Sequence, residues 1–137
     1  LLLALALGDV ARLLGTGPYV ASVVGAAVPV PLLAPLVFLT SAFIAFSVGS
    51  SWGTFAIMIP IAIPIATTLG LPVPLMLGAA ISGAVFGDHA SPISDTTVVA
   101  SMASATDHID HVRTQLPYAL LAAAISAIGF LLLALIA

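Results

Sequence analysis

Between Leu13 and Gly87 the chain runs for 75 residues without an Asp, Glu, Lys, Arg or His. Then "GDHASPISDTT", Gly87 to Thr97, brings in two carboxylates and an imidazole within eight positions. An uncharged tract of that length cannot present a water-covered surface. Soluble domains carry about 25% charged residues, whereas this chain has 5%, with 62% hydrophobic residues and a mean hydropathy of +1.34. The solvent for most of its surface is lipid, and the lipid bilayer is its first partner. The apolar character extends through the whole chain rather than one stretch near its start, so a signal peptide does not account for it. The sequence starts at Leu1 inside an apolar run with no initiator Met, and it reads as a fragment that begins within a spanning helix. With no cysteine there are no disulfides, thiolate metal sites or cysteine nucleophiles. The formal charge of -3 and the lack of lysine argue against nucleic acid or anionic headgroups as partners.

Crossing about 30 Å of hydrocarbon takes roughly 20 helical residues. On that measure Leu1 to Leu14 reads as the end of one helix, with Asp9 and Arg12 as an ion pair where it leaves the apolar zone. Gly15 to Pro31 reads as a connector with a short interfacial piece at Tyr19 to Ala27. Leu32 to Val48 is a strong helical stretch that stops at "GSSWGT", Gly49 to Thr54. Phe55 to Leu69 is equally apolar but carries Pro60 and Pro64, which strip the carbonyls of Ala56 and Pro60 of their helical partners. In lipid such carbonyls must be met by protein or by water in a cavity, so this piece is not expected to be a plain lipid-facing helix. The next element runs from Pro72 to Phe86. Its Ala79, Gly83 and Gly87, spaced by four, would let another helix backbone approach closely. A helix from about Thr96 to Ala105, a polar loop at "TDHIDHVR", Thr106 to Arg113, and a clean spanning helix from Gln115 to Ala137 complete an all-α, polytopic membrane protein.

Val73 to Ala105 is 33 residues, which as one unbroken helix would be about 50 Å long, well beyond the hydrocarbon core. Pro92 forbids regular helix through Ala90 and Ser91. The spacing therefore predicts a discontinuous helix, unwound across Gly87 to Thr97 near mid-membrane, with Ser91, or Ser94 and Asp95, capping the second half. Its free carbonyls and side-chain oxygens suit a small hard cation such as Na⁺. Two aspartates at the centre of a helix cost about 5 to 7 kcal/mol on insertion scales before compensation, a cost usually tolerated for function. A carboxylate deprived of water binds protons more readily, so one site can hold either H⁺ or Na⁺, which is the core of antiport. The competing reading is an extramembrane loop in which Asp88 and His89 are solvated and Ser94 and Asp95 only cap. "GSSWGT" is likewise either a glycine-rich turn with Trp52 in the aromatic belt or the tip of a re-entrant hairpin formed by Leu32 to Val48 and Phe55 to Leu69. "DHIDH", Asp107 to His111, reads as an exposed polar loop and not a metal cluster. No Gly-x-Ser-x-Gly elbow or acid-His-Ser set is present at a persuasive spacing, and the chain is not read as an enzyme. Arg12 and Arg113 fall one to each side of the membrane, which leaves the positive-inside rule nothing to count.

"GSSWGTFAIMIPIAIPIA", "SGAVFGDHASPISDTTVVASMAS" and "HVRTQLPYAL", in that order, resemble the C-terminal part of the NhaC-type sodium/proton antiporter family of the ion-transporter superfamily. Two departures from the family pattern are Ser50 in place of its usual threonine and Ala90 in place of its usual cysteine. The resemblance implies a multi-pass carrier of the cell (inner) membrane that exchanges H⁺ for Na⁺, with no cofactor beyond these transported ions. It also implies a re-entrant or Pro-broken hairpin, Leu32 to Leu69, and a broken helix, Val73 to Ala105, within one half of an inverted-repeat transporter. Residues 1 to 137 would then be a single transmembrane unit of a larger antiporter domain, dependent on a missing N-terminal half and usually dimeric at full length. Asp88 and Asp95 are the expected proton-exchange and Na⁺ ligands, with His89 tuning Asp88 or sensing pH. Ser91, Ser94, Thr96 and Thr97, and across the cleft Ser50, Ser51 and Thr54, are the expected neutral oxygen ligands. Related members exchange malate for lactate or move amino acids, so a Na⁺-coupled organic anion or amino-acid exchanger is the alternative function.

Overall fold

A computed structural model describes residues 2–136, all helix and turn among the described residues. Leu1 and Ala137, the outer ends of the two expected terminal helices, lie outside the described residues. The order is α1 (Leu2–Leu13), α2 (Thr16–Ala27), a 3₁₀ turn (Val30–Leu32), α3 (Leu33–Val48), α4 (Ser51–Leu69), α5 (Val73–Ala90), α6 (Asp95–Ala103) and α7 (His108–Ile136). Among the described residues four stretches are long and apolar enough to cross a membrane: Val30–Val48, Ser51–Leu69, Val73–Ala90 and His108–Ile136.

The centre of the bundle is the pairing of α3 with α5. The two run parallel, because Gly83 lies on the carbonyl of Phe38, Gly87 on that of Ala42, and Gly49 beside Ile93. At Gly83 a β-carbon would overlap the Phe38 carbonyl and stand 2.9 Å from the Ser41 side chain, and at Gly87 one would meet the Ala45 methyl at 2.8 Å. This is the close backbone approach that the four-residue spacing predicts, and α3 is the partner. Phe38, fully buried, stacks between Phe86 of α5 at 6.3 Å and Phe130 of α7 at 5.5 Å between ring centroids. Those contacts hold α7 against the centre while its outer face stays exposed.

One expectation is corrected at the start of the chain. Gly15 to Pro31 is more than a connector with a short piece at Tyr19 to Ala27, since Thr16–Ala27 form a full helix, α2. A left-handed Gly15, with φ of 69°, interrupts the helix, and α2 then continues along α4 with Ala21 buried against it. Gly8 lies on the carbonyl of Ala56, Gly17 sits against the carbonyl of Pro60 and the ring of Pro64, and Gly25 meets Leu69. The rising order shows that α1 and α2 run parallel to α4. Helix α4 is not broken by its prolines: it remains continuous through Pro60 and Pro64. As expected, protein meets the two carbonyls that the prolines strip, with glycine backbone of α1 and α2 lying over them.

Of the polar stretch Thr106 to Arg113 only Thr106 and Asp107 lie outside a helix. Asp107 Oδ1 accepts from the backbone N–H groups of Ile109 (2.9 Å) and Asp110 (3.2 Å), which starts α7 at His108.

Candidate functional site around Asp88

The break in the α5–α6 helix is shorter than the sequence predicts. Gly87 to Ala90 complete α5, Asp95 to Thr97 open α6, and only Ser91 to Ser94 leave the helix. Proline restricts itself and the residue before it, and Ser91 takes the extended conformation (φ -76°, ψ 133°) that a following proline requires. Gly87 stays helical because its place is against α3. Of the two capping alternatives, Ser94 is the one observed, its hydroxyl accepting from the Thr96 N–H at 3.2 Å. The second half helix ends at Ala103 rather than Ala105, which turns back with φ of 50°.

Three helix termini converge on this break. Ser91 Oγ donates to the carbonyl of Phe46 in the last turn of α3 at 2.7 Å and accepts from the Ile93 N–H at 3.3 Å. Thr97 Oγ1 donates to the carbonyls of both Ser91 (2.8 Å) and Ser94 (2.9 Å), which ties the unwound backbone to the first turn of α6. On the other side a two-residue turn, Gly49 and Ser50, joins α3 to α4. Gly49 is left-handed at φ 70°, Ser50 Oγ caps α4 through the Gly53 N–H at 3.3 Å, and buried Thr54 donates to the Ser50 carbonyl at 2.9 Å.

Asp88 lies at the junction, 3% exposed. Its Oδ1 accepts from Ser94 Oγ at 2.5 Å and its Oδ2 from Ser51 Oγ at 3.2 Å. With the Ser94 proton committed to Asp88, Thr96 Oγ1 is the donor in its 2.8 Å contact with Ser94. Among the described residues the one ion pair is Arg12 with Asp9, so no cationic side chain reaches Asp88. A buried carboxylate held by two neutral hydroxyls lacks the countercharge that buried ions ordinarily have. It can meet that need with a proton or a metal cation, and the surrounding hydroxyl and carbonyl oxygens suit a hard cation.

The structure distributes the other expected residues outward from this point. Ser51 and Ser94 touch the carboxylate, and Thr96 touches Ser94. Ser50, Ser91, Thr54 and Thr97 are engaged with backbone groups that shape the junction. Asp95 is exposed on the first turn of α6, makes no side-chain hydrogen bond, and is not brought to Asp88. His89 is exposed as well. Its Nδ1 lies 2.9 Å from the carbonyl of Val85, and its ring borders a separate groove of about 160 Å³ with Thr96, Thr97, His111 and Gln115.

Sequence reasoning misses three participants. The Phe46 carbonyl is invisible because backbone acceptors carry no signature. His108 Nε2 lies 2.6 Å from the carbonyl of Pro92, with Nδ1 3.2 Å from Ser101 Oγ, so α7 pins the break directly. A carbonyl only accepts, so Nε2 carries the proton. Gln115 Nε2 donates to the His89 carbonyl at 3.3 Å. The last two had a signal: His108, His111 and Gln115 fall at spacings that share one helix face, and Asp107 stands where a cap belongs.

The Na⁺/H⁺ antiporter family model matches residues 1–135. Among curated relatives, an uncharacterized protein of Haemophilus influenzae is 46% identical over 117 residues, 85% of this chain and 22% of that protein. The malate-2H⁺/Na⁺-lactate antiporter of Bacillus subtilis is 44% identical over 101 residues, 70% of this chain and 22% of that protein. The arginine/ornithine antiporter of Halobacterium salinarum is 41% identical over 103 residues, 75% of this chain and 21% of that protein. The chain thus spans about a fifth of the length of these relatives. No solved structure matches.

Proposed function

The chain belongs to the Na⁺/H⁺ antiporter family, and from that premise we propose that it forms an ion-exchange portion of a longer, multi-pass transporter of the cell membrane. Asp88 is the group at which H⁺ and Na⁺ compete. The observation that carries this reading is a buried carboxylate met by two hydroxyls and no cation. When protonated, Asp88 is neutral and the junction is closed by hydrogen bonds. When the proton leaves, the charge requires a cation, and Ser51 and Ser94 can turn their hydroxyl oxygens from donors to ligands without moving a helix. The two states exclude each other at one carboxylate, which is the competition that exchange requires.

In this reading α3 and α4 form a re-entrant hairpin, and its tip, Gly49 to Ser51, meets the α5–α6 break within the membrane. The contacts of Gly49 with Ile93, Ser91 with Phe46 and Ser51 with Asp88 support that pairing. Helix α7, at 29 residues or about 43 Å, supplies the long crossing beside them. Asp95 and His89 are exposed on either side of the break and are not ligands in this reading. The remainder of the transporter covers these surfaces, and the full-length protein forms a homodimer.

Reconstituted full-length transporter tests the proposal. A Na⁺ gradient should drive proton movement across the vesicle in the wild type, and Asp88→Asn should abolish it while leaving the protein folded. Unchanged coupling in Asp88→Asn would remove Asp88 from the role. The names of the lactate/malate and arginine/ornithine relatives favour a second reading, exchange of an organic cargo coupled to Na⁺. Proton movement that requires added organic substrate, and not Na⁺ alone, would select it.

A further inference from the structure

The middle of the break is the part that its own side chains do not hold. Ser91 is anchored on the Phe46 carbonyl, and Ser94 is fixed by the Thr96 N–H and the Thr97 hydroxyl. Between them Pro92 has no N–H to give, and Ile93 has an apolar side chain that is 64% exposed. The Pro92 carbonyl finds its partner outside the segment, in His108 at the start of α7, with Nε2 at 2.6 Å. That residue is itself well fixed. Its backbone follows the Asp107 cap directly, and Nδ1 lies 3.2 Å from Ser101 Oγ of α6, which is 2% exposed. The imidazole therefore spans from the break to the body of α6 and sets the angle between them. Ser94, whose 2.5 Å bond to Asp88 depends on that angle, lies within the braced segment.

The two ring contacts are not equal. Ser101 Oγ donates its proton to the Val98 carbonyl at 2.8 Å, so it offers a neutral Nδ1 only a lone pair. The Nε2 proton, by contrast, stays on the Pro92 carbonyl whether the ring is neutral or an imidazolium. The brace works through one N–H and needs no change of charge.

We propose that His108 is a positioning residue for the ion seat: from α7, its Nε2–H holds the Pro92 carbonyl and thereby keeps Ser94 on Asp88. The proposal rests on Asp88 being the group at which H⁺ and Na⁺ compete. It makes α7 part of the site, although the hydroxyls on Asp88 come from α4 and from the cap of α6.

The test is Na⁺ binding across pH to full-length transporter carrying His108→Gln, His108→Asn or His108→Ala, with thermal stability read on the same samples. The amide nitrogen of glutamine can take the place of Nε2, whereas that of asparagine reaches only the place of Nδ1. His108→Gln should stay within about threefold of wild-type Na⁺ affinity, while His108→Asn and His108→Ala should each lose about tenfold, the worth of one well-placed hydrogen bond. Glutamine does not titrate, so the pH profile of His108→Gln should match the wild type. Wild-type affinity in His108→Ala overturns the proposal. Equal loss in all three variants also overturns it and leaves the ring a packing element only. A His108→Gln variant that keeps its affinity but loses the pH dependence overturns positioning in favour of titration. Na⁺ binding that survives in Asp88→Asn removes the premise as well, whereas no binding in Asp88→Asn beside full binding in His108→Ala overturns this inference alone.

Discussion

Helix α4 and the α5–α6 segment both contain interior prolines, yet only the second comes apart. In α4, Pro60 and Pro64 have Ile, Ala and Met as immediate neighbours, and the nearby Thr67 hydroxyl serves the carbonyls of Ile63 and Pro64 rather than those of Ala56 and Pro60 that the prolines free. The helix persists there, and backbone from α1 and α2 covers the stripped carbonyls. Around Pro92 stand Ser91, Ser94, Thr96 and Thr97. Their hydroxyls cap the new helix start, tie down two loose carbonyls and reach α3. A proline weakens a helix, but local hydroxyls decide whether the chain unwinds. The unwound proline region surrounds the buried carboxylate, and the intact one serves as the packing face for α1 and α2.

The largest effect should come from the contact that holds the unwound region in place. Gly83→Val drives a β-carbon into the Phe38 backbone carbonyl and against the Cβ of buried Ser41, neither of which is the far end of a flexible side chain. It should cost about 3 kcal/mol or more, measured as lost thermal stability in detergent. Ser94→Ala comes next, because one hydroxyl both caps α6 and donates to Asp88. The lost cap costs about 1 kcal/mol, and Na⁺ affinity should fall about tenfold, equivalent to 1.4 kcal/mol. Pro92→Ala should weaken Na⁺ binding severalfold, since α5 can then extend through the break while the hydroxyls still oppose it. Pro60→Ala should be the mildest of the four. It returns an N–H to the Ala56 carbonyl and should change stability by less than about 1 kcal/mol, with Na⁺ affinity untouched. A Pro60→Ala effect on Na⁺ as large as that of Pro92→Ala would break the comparison.

Much of the unwound region was legible because its signals are local. Pro92 marks the break, Ser94 the cap and Gly49 the turn, and the four-residue spacing of Ala79, Gly83 and Gly87 announces a close helix neighbour. The extent of unwinding was not legible, because Gly87 and Asp88 are kept helical by α3, some 45 residues earlier in the chain. The same distance hid the Phe46 carbonyl. The course of the chain beyond α1 was not legible for a related reason. Gly15 signals an end when read alone, and only the packing of Gly8, Gly17 and Gly25 on α4 shows that the chain carries straight on. His89 follows Asp88 in sequence, but on a helix adjacent residues point about 100° apart, so proximity along the chain did not put it in the same site.

The most direct test of the account is Na⁺ binding to the full-length transporter by ²³Na NMR, from acidic to alkaline pH, in wild type and Asp88→Asn. The account predicts that wild-type binding weakens steadily on acidification, as protons take the carboxylate, and that Asp88→Asn binds no Na⁺ at any pH. Binding that survives in Asp88→Asn with its pH dependence intact would contradict the central claim and place the exchange at another group.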